Sequence, residues 1–147
     1  MHVPDPLAAG DSAVDGLAAA LAPRYRVLSV RSRGDVPYQV DAVDLVGVLG
    51  QFGFRTPVLV GERLGCVTAL AVAAWYPERV AGLILLEPVF AAGPADRLAG
   101  RALRDCPPDV ARLRAAVRCP VLERTTPTDV DDTARGAVEA FLAATLP

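Results

Sequence analysis

Two short apolar runs, Val58-Leu59-Val60 and Val80-Ala81-Gly82-Leu83-Ile84-Leu85-Leu86, flank a stretch of helical periodicity. The second run has no polar side, which is what a strand buried on both faces requires. Two such strands joined through a helix make the crossover unit of a parallel sheet. The chain is therefore constrained to an α/β arrangement with helices above and below the strands.

The flanking pattern extends this reading. Residues 12–22 are expected to be a helix, with Ser12 and Asp15 as a capping box and Val14, Leu17, Ala18 and Leu21 on one face. Tyr25–Val30 reads as a strand and Ser32–Asp35 as a turn. A second helix is expected from Asp41, with Val43, Val46 and Leu49 inward and Gly50 and Gly53 at its end. A strand over Thr56–Val60 then leads to a helix carrying Leu64, Val67, Leu70, Ala71, Ala74 and Trp75, stopped by Pro77. Two short helical pieces are expected over 93–118, a short strand over Pro120–Leu122, and a closing helix over 133–145 with Val138, Phe141 and Leu142 inward. The expectation is one domain over residues 1–147, with a mostly parallel sheet of about five strands. Ligands of such sheets bind beyond the carboxyl ends of the strands.

Composition narrows the function classes. With 147 residues the chain can bury a sizeable core. All fifteen basic side chains are arginine, and with abundant Ala, Gly, Pro and Val this reads as GC-rich coding bias rather than phosphate recognition. The net charge of −2 gives no basic stripe for nucleic acid or an anionic membrane. No apolar run reaches the roughly 20 residues of a membrane span, and no basic start precedes an apolar segment, so a cytoplasmic protein is expected. Cys66, Cys106 and Cys119 lack metal-site spacing and read as free thiols. No cofactor or metal is expected.

The chemistry concentrates at Gly61-Glu62-Arg63-Leu64-Gly65. Strand, turn and helix follow one another as in a G-x-S-x-G nucleophile elbow, with Arg63 where the serine would stand. Together with "LAAALAPRYRVLSV", the Arg33-Gly34 pair, "DLVGVLGQFG" and the Pro77-Glu78-Arg79-Val80 phrase before the LILLEP run, this segment resembles the α/β-hydrolase superfamily. "VRCPVLERT" resembles the family's seventh strand and "AVEAFLAATL" its closing helix. The resemblance implies a minimal α/β-hydrolase-like core, with the helical insert at about 93–118 in place of a cap. It also implies what is missing. Arginine has no lone pair for attack. The sole histidine, His2, resembles the histidine of the family's oxyanion-loop phrase rather than its general base, and the eighth strand has no room before the closing helix.

The expected function is accordingly a non-hydrolytic α/β-hydrolase-like protein that binds a small organic or acyl-type ligand or supports a partner enzyme. A ligand at the strand ends would meet Asp5, Arg63 and Leu64. The alternative is a repurposed lyase, isomerase or cyclase in which Glu62, Arg63 and Glu87 supply acid–base and charge-stabilising groups. A third reading is half of a split or oligomeric hydrolase, including a homodimer through a sheet edge. For each site residue a structural role stands beside the functional one: Arg63 paired with Glu62 or Glu87, and Glu87 as a salt-bridging or helix-starting acid. Asp11 and Ser12 read as caps, and Asp129, Asp131 and Asp132 as an acidic helix start. Cys66 reads as a small buried hydrophobe. The Arg33-Gly34-Asp35 triplet falls on the family's turn and has no adhesive role.

Overall fold

A computed structural model describes residues 2–3, 13–31, 36–88, 110–124 and 132–147. Four parallel strands are hydrogen-bonded in chain order: β1 (His2–Val3), β2 (Val58–Glu62), β3 (Gly82–Leu86) and β4 (Val121–Arg124). Around them lie α1 (Ala13–Leu21), α2 (Tyr38–Gln51), α3 (Gly65–Trp75), α4 (Val110–Ala116) and α5 (Asp132–Thr145), with a single 3₁₀ turn at Pro77–Arg79. The register runs from Val58 opposite Gly82 to Glu62 opposite Leu86, and from Leu83 opposite Val121 to Leu86 opposite Arg124. β1 places His2 opposite Val60.

The pleat divides the core in two. Leu59, Leu83 and Leu85 face α2, α3 and α4, while Val58, Val60, Ile84 and Leu86 face α1 and α5. β2 and β3 are buried throughout, as strands covered on both faces must be. Helix α3 is buried from Gly65 to Ala73, so its sequence is apolar all round rather than amphipathic. Val14, Leu17 and Leu21 make the buried face of α1, and Val138 and Leu142 that of α5, both as the periodicity indicates.

Several expectations are corrected. The sheet has three strands of four or five residues and the two-residue β1 among the described residues, not about five strands. Tyr25–Val30 is no strand: only Ser29 forms a bridge. The edges of β2 are taken by β1 and β3, and those of β3 by β2 and β4. In α2 the buried residues are Ala42, Leu45 and Leu49, and Val43 is 54 % exposed. The helix also begins at Tyr38 rather than Asp41, because the amides of Val40 and Asp41 close onto the Pro37 carbonyl at 3.0 and 3.2 Å. Ala42 rather than a valine faces the core, and α3 packs against that side.

The far end of α2 follows the glycine signal. Gly53 has φ 72, its amide meets the Gly50 carbonyl at 3.1 Å, and the Phe54 amide reaches back to Leu49 at 2.8 Å. This is a Schellman closure. Trp75, the last residue of α3, is 42 % exposed rather than inward, with its ring 6.0 Å from that of Tyr38. No helix among the described residues is long and apolar enough to cross a membrane.

Gly61 is where strand and helix come closest. A Cβ there would lie 2.7 Å from the Cys66 Cα, 2.9 Å from the Cys66 amide nitrogen and 2.9 Å from the Gly65 carbonyl oxygen. All three are backbone atoms, which cannot yield as a side chain can. Gly61→Ala is expected to lower stability by about 1–3 kcal/mol in chemical denaturation; an unchanged midpoint would show that α3 tolerates a shift.

Candidate functional site

The carboxyl ends of β2 and β3 each finish on a residue with a left-handed backbone, Arg63 at φ 49 and Glu87 at φ 47. For a residue with a Cβ this conformation costs on the order of 1–2 kcal/mol. It persists because the ladder holds it: the Arg63 amide donates to the Leu86 carbonyl at 2.9 Å, and the Glu87 amide to the Arg124 carbonyl at 2.7 Å. Since Glu62 lies opposite Leu86, the two strained residues occupy neighbouring positions at one edge of the sheet.

From Arg63 the chain turns at once into α3. The Cys66 amide meets the Arg63 carbonyl at 3.1 Å and the Val67 amide the Leu64 carbonyl at 3.0 Å, a tight first turn. Arg63 and Leu64 are half-buried at this helix start, where amide donors and the helix dipole favour negative charge. An arginine there opposes the dipole while offering up to five N–H donors to an anion. Glu62 is 6 % exposed, and by the pleat it shares the α1 and α5 face with Val58 and Val60. Its Oε2 accepts no hydrogen bond from the described residues, although the residue has interactions elsewhere. Glu87 is half-buried.

The structure thus brings Glu62, Arg63, Leu64 and Glu87 to one edge. Asp5 lies outside the described residues, as do Asp11, Ser12, Arg33-Gly34-Asp35, Cys106, Asp129, Asp131 and the first piece of the 93–118 insert. Neither described thiol is set up as a substitute nucleophile at this edge. Cys66 is buried, and its Sγ donates toward the Gly61 carbonyl at 3.3 Å and the Leu86 carbonyl at 3.6 Å. Burial pushes the Cys119 thiol above its ordinary range, against a smaller lowering from a backbone hydrogen bond, which disfavours the reactive thiolate. Among the described residues no three His, Cys, Asp or Glu side chains gather as a metal site.

One cavity, of about 470 Å³, lies elsewhere. It opens beside Thr56 and Pro57, at the amino-terminal end of β2, and none of the four strand-end residues lines it. Sequence reasoning missed it, because its walls come from segments far apart in the chain.

No protein-family profile and no curated protein matches this chain. Among solved structures it is similar to MGS-MChE2, an α/β hydrolase enzyme from the metagenome of sediments from the lagoon of Mar Chica, Morocco. The TM-score is 0.69 at 15% identity, over 97% of this chain and 90% of that one. The fold is α/β-hydrolase-like. The chain is also similar to the hypothetical protein PA1622 from Pseudomonas aeruginosa PAO1, with a TM-score of 0.44 at 22% identity over 97% of this chain and 50% of that one.

The two left-handed residues give a direct test of stored strain. Glu87→Gly removes the Cβ clash and is expected to raise stability by about 1 kcal/mol, whereas Glu87→Gln, which keeps the Cβ, leaves it within about 0.5 kcal/mol. Denaturant midpoints for the pair decide; equal midpoints would mean the conformation is not strained.

Proposed function

We propose that this α/β-hydrolase-like protein does not hydrolyse through a serine acyl-enzyme, and that it binds a small organic or acyl-type anion at the carboxyl edge of its sheet. The observation that carries this reading is Arg63, a left-handed residue at the turn between a buried parallel strand and a buried helix. A strained strand-to-helix turn is what a nucleophile elbow requires, which supports reading this turn as one whose central side chain is a permanent cation. The turn keeps what an anion needs. The Leu64 amide holds the position of an oxyanion donor, immediately after the elbow residue, and the start of α3 stands behind it.

The missing base supports the same conclusion. Within these 147 residues the sole histidine is His2, and its backbone pairs with Val60, in the strand rather than in a loop beyond it. Shortness by itself does not argue against catalysis, since the Mar Chica α/β hydrolase enzyme covers nearly the same extent. The residue types at the turn do.

Serine-directed fluorophosphonates are expected to leave the protein unlabelled, and an activated acetate ester is expected to give no burst. Arg63→Ser alone restores neither, because a serine without a proton acceptor stays a weak nucleophile. Labelling of the unmodified protein by a fluorophosphonate would end this reading.

A second reading, acid–base catalysis without a covalent step, is favoured by the neighbouring strain at Arg63 and Glu87, since such residues cluster where chemistry is done. Here Glu87 moves the proton and Arg63 holds the developing negative charge. Against a panel of elimination and isomerisation substrates, Glu87→Gln then abolishes whatever turnover is found while the melting curve stays within a few degrees. Turnover that survives the change excludes Glu87 as the proton carrier.

A further inference from the structure

The cavity at the opposite edge of the sheet has a physical origin in how two helices share three strands. Helix α5 lies over the start of β3, where a Cβ at Gly82 would meet Phe141 and Thr145 at 3.0–3.1 Å. Helix α1 covers the same face through Val14, Leu17 and Leu21. Between them the floor is β2, whose side chains on this face, Val58 and Val60, are short. The space left is about 470 Å³, within the range of small-molecule sites. Its walls are aliphatic, with Leu17 and Leu21 from α1 and Leu142 and Leu146 from α5.

The rim is charged in one sense only. Arg26 and Arg55 line the mouth, and among the described residues no carboxylate lines the cavity. Arg26 is already held in place: its Nη2 donates to the Phe52 carbonyl at 2.5 Å, and its guanidinium carbon sits 4.6 Å above the Phe54 ring. That hydrogen bond uses one of five N–H donors. The Arg55 backbone is pinned as well, its carbonyl accepting from the Arg79 Nε at 3.3 Å. A greasy cleft with two guanidinium groups among its lining residues, that of Arg26 held in place, is complementary to a molecule with an apolar tail and an anionic head. From Thr56 to Val60 the floor runs about 13 Å along the strand, room for an extended chain of about ten carbons.

We propose that this cavity binds an amphipathic carboxylate, with its aliphatic chain between α1 and α5 and its head group on Arg26 and Arg55. The site is separate from Arg63 and Glu87, so its failure and that of the strand-edge reading are independent.

Decanoate, decanol and decyltrimethylammonium provide the charge series, read by calorimetry and by backbone amide shifts. Decanoate is expected to bind one to one, to shift amides within 14–27, 54–60 and 142–146, and to exceed both other ligands by roughly tenfold. Arg26→Gln is expected to weaken decanoate by a similar factor and leave decanol unchanged, a distinction that a merely structural arginine would not make. Ala18→Trp, which fills the cavity from α1, abolishes binding of both; should that variant fail to fold by circular dichroism, Arg26→Gln and the charge series decide alone. Absence of decanoate binding, equal affinity for the ammonium ligand, or shifts confined to residues 62–65 and 87 would overturn the proposal.

Discussion

The approach of α3 to β2 at Gly61 is the contact on which the rest of this structure depends. It is backbone against backbone, with no side chain between the strand and the Cys66 main chain. That closeness lets the chain reverse within two residues, which in turn forces Arg63 into the left-handed region. It also aims the amino-terminal end of α3 at the carboxyl edge of the sheet. Small residues at the contact thus determine the position of a charged one.

Outward from that contact the fold is organised by the alternation of β2 and β3. The Leu59, Leu83 and Leu85 side is packed by three helices, and α3 alone contributes an unbroken buried stretch from Gly65 to Ala73. The Val58, Val60, Ile84 and Leu86 side has two helices. Among the described residues the two faces thus differ in how many helices cover them, and the hollow lies on the face with two. The strained residues Arg63 and Glu87 and the hollow lie at opposite ends of the strands.

How much of this is legible in the residues depends on how local the signal is. The Val80–Leu86 run announces a doubly buried strand because burial on both faces removes every polar position. The carboxyl-terminal end of α2 is readable from Gly53, since a left-handed closure strongly prefers glycine. The inward face of α2 is not readable, because Val43 outranks Ala42 in hydrophobicity and yet Ala42 is the one packed in the core. Tyr25–Val30 carries strand-forming side chains, but pairing depends on a neighbour as well as on propensity, and only Ser29 is bridged. At the site, the strand-edge position of Glu62, Arg63, Leu64 and Glu87 follows from chain order. The backbone of Glu87 has no local signature before Pro88, and the hollow walled by Leu17, Val58 and Leu142 is a property of the gap between elements.

The placement of Trp75 gives the molecule an optical asymmetry. It is the chain's single tryptophan, and it lies beside Tyr38 where α2 and α3 meet, on the densely packed side of the sheet. Indole emission therefore monitors that side, whereas the phenol of Tyr25 lies at the hollow on the other. Two of the three tyrosines, Tyr38 and Tyr76, pack on the same side as Trp75, so selectively excited indole emission follows loosening of that layer without any attached label.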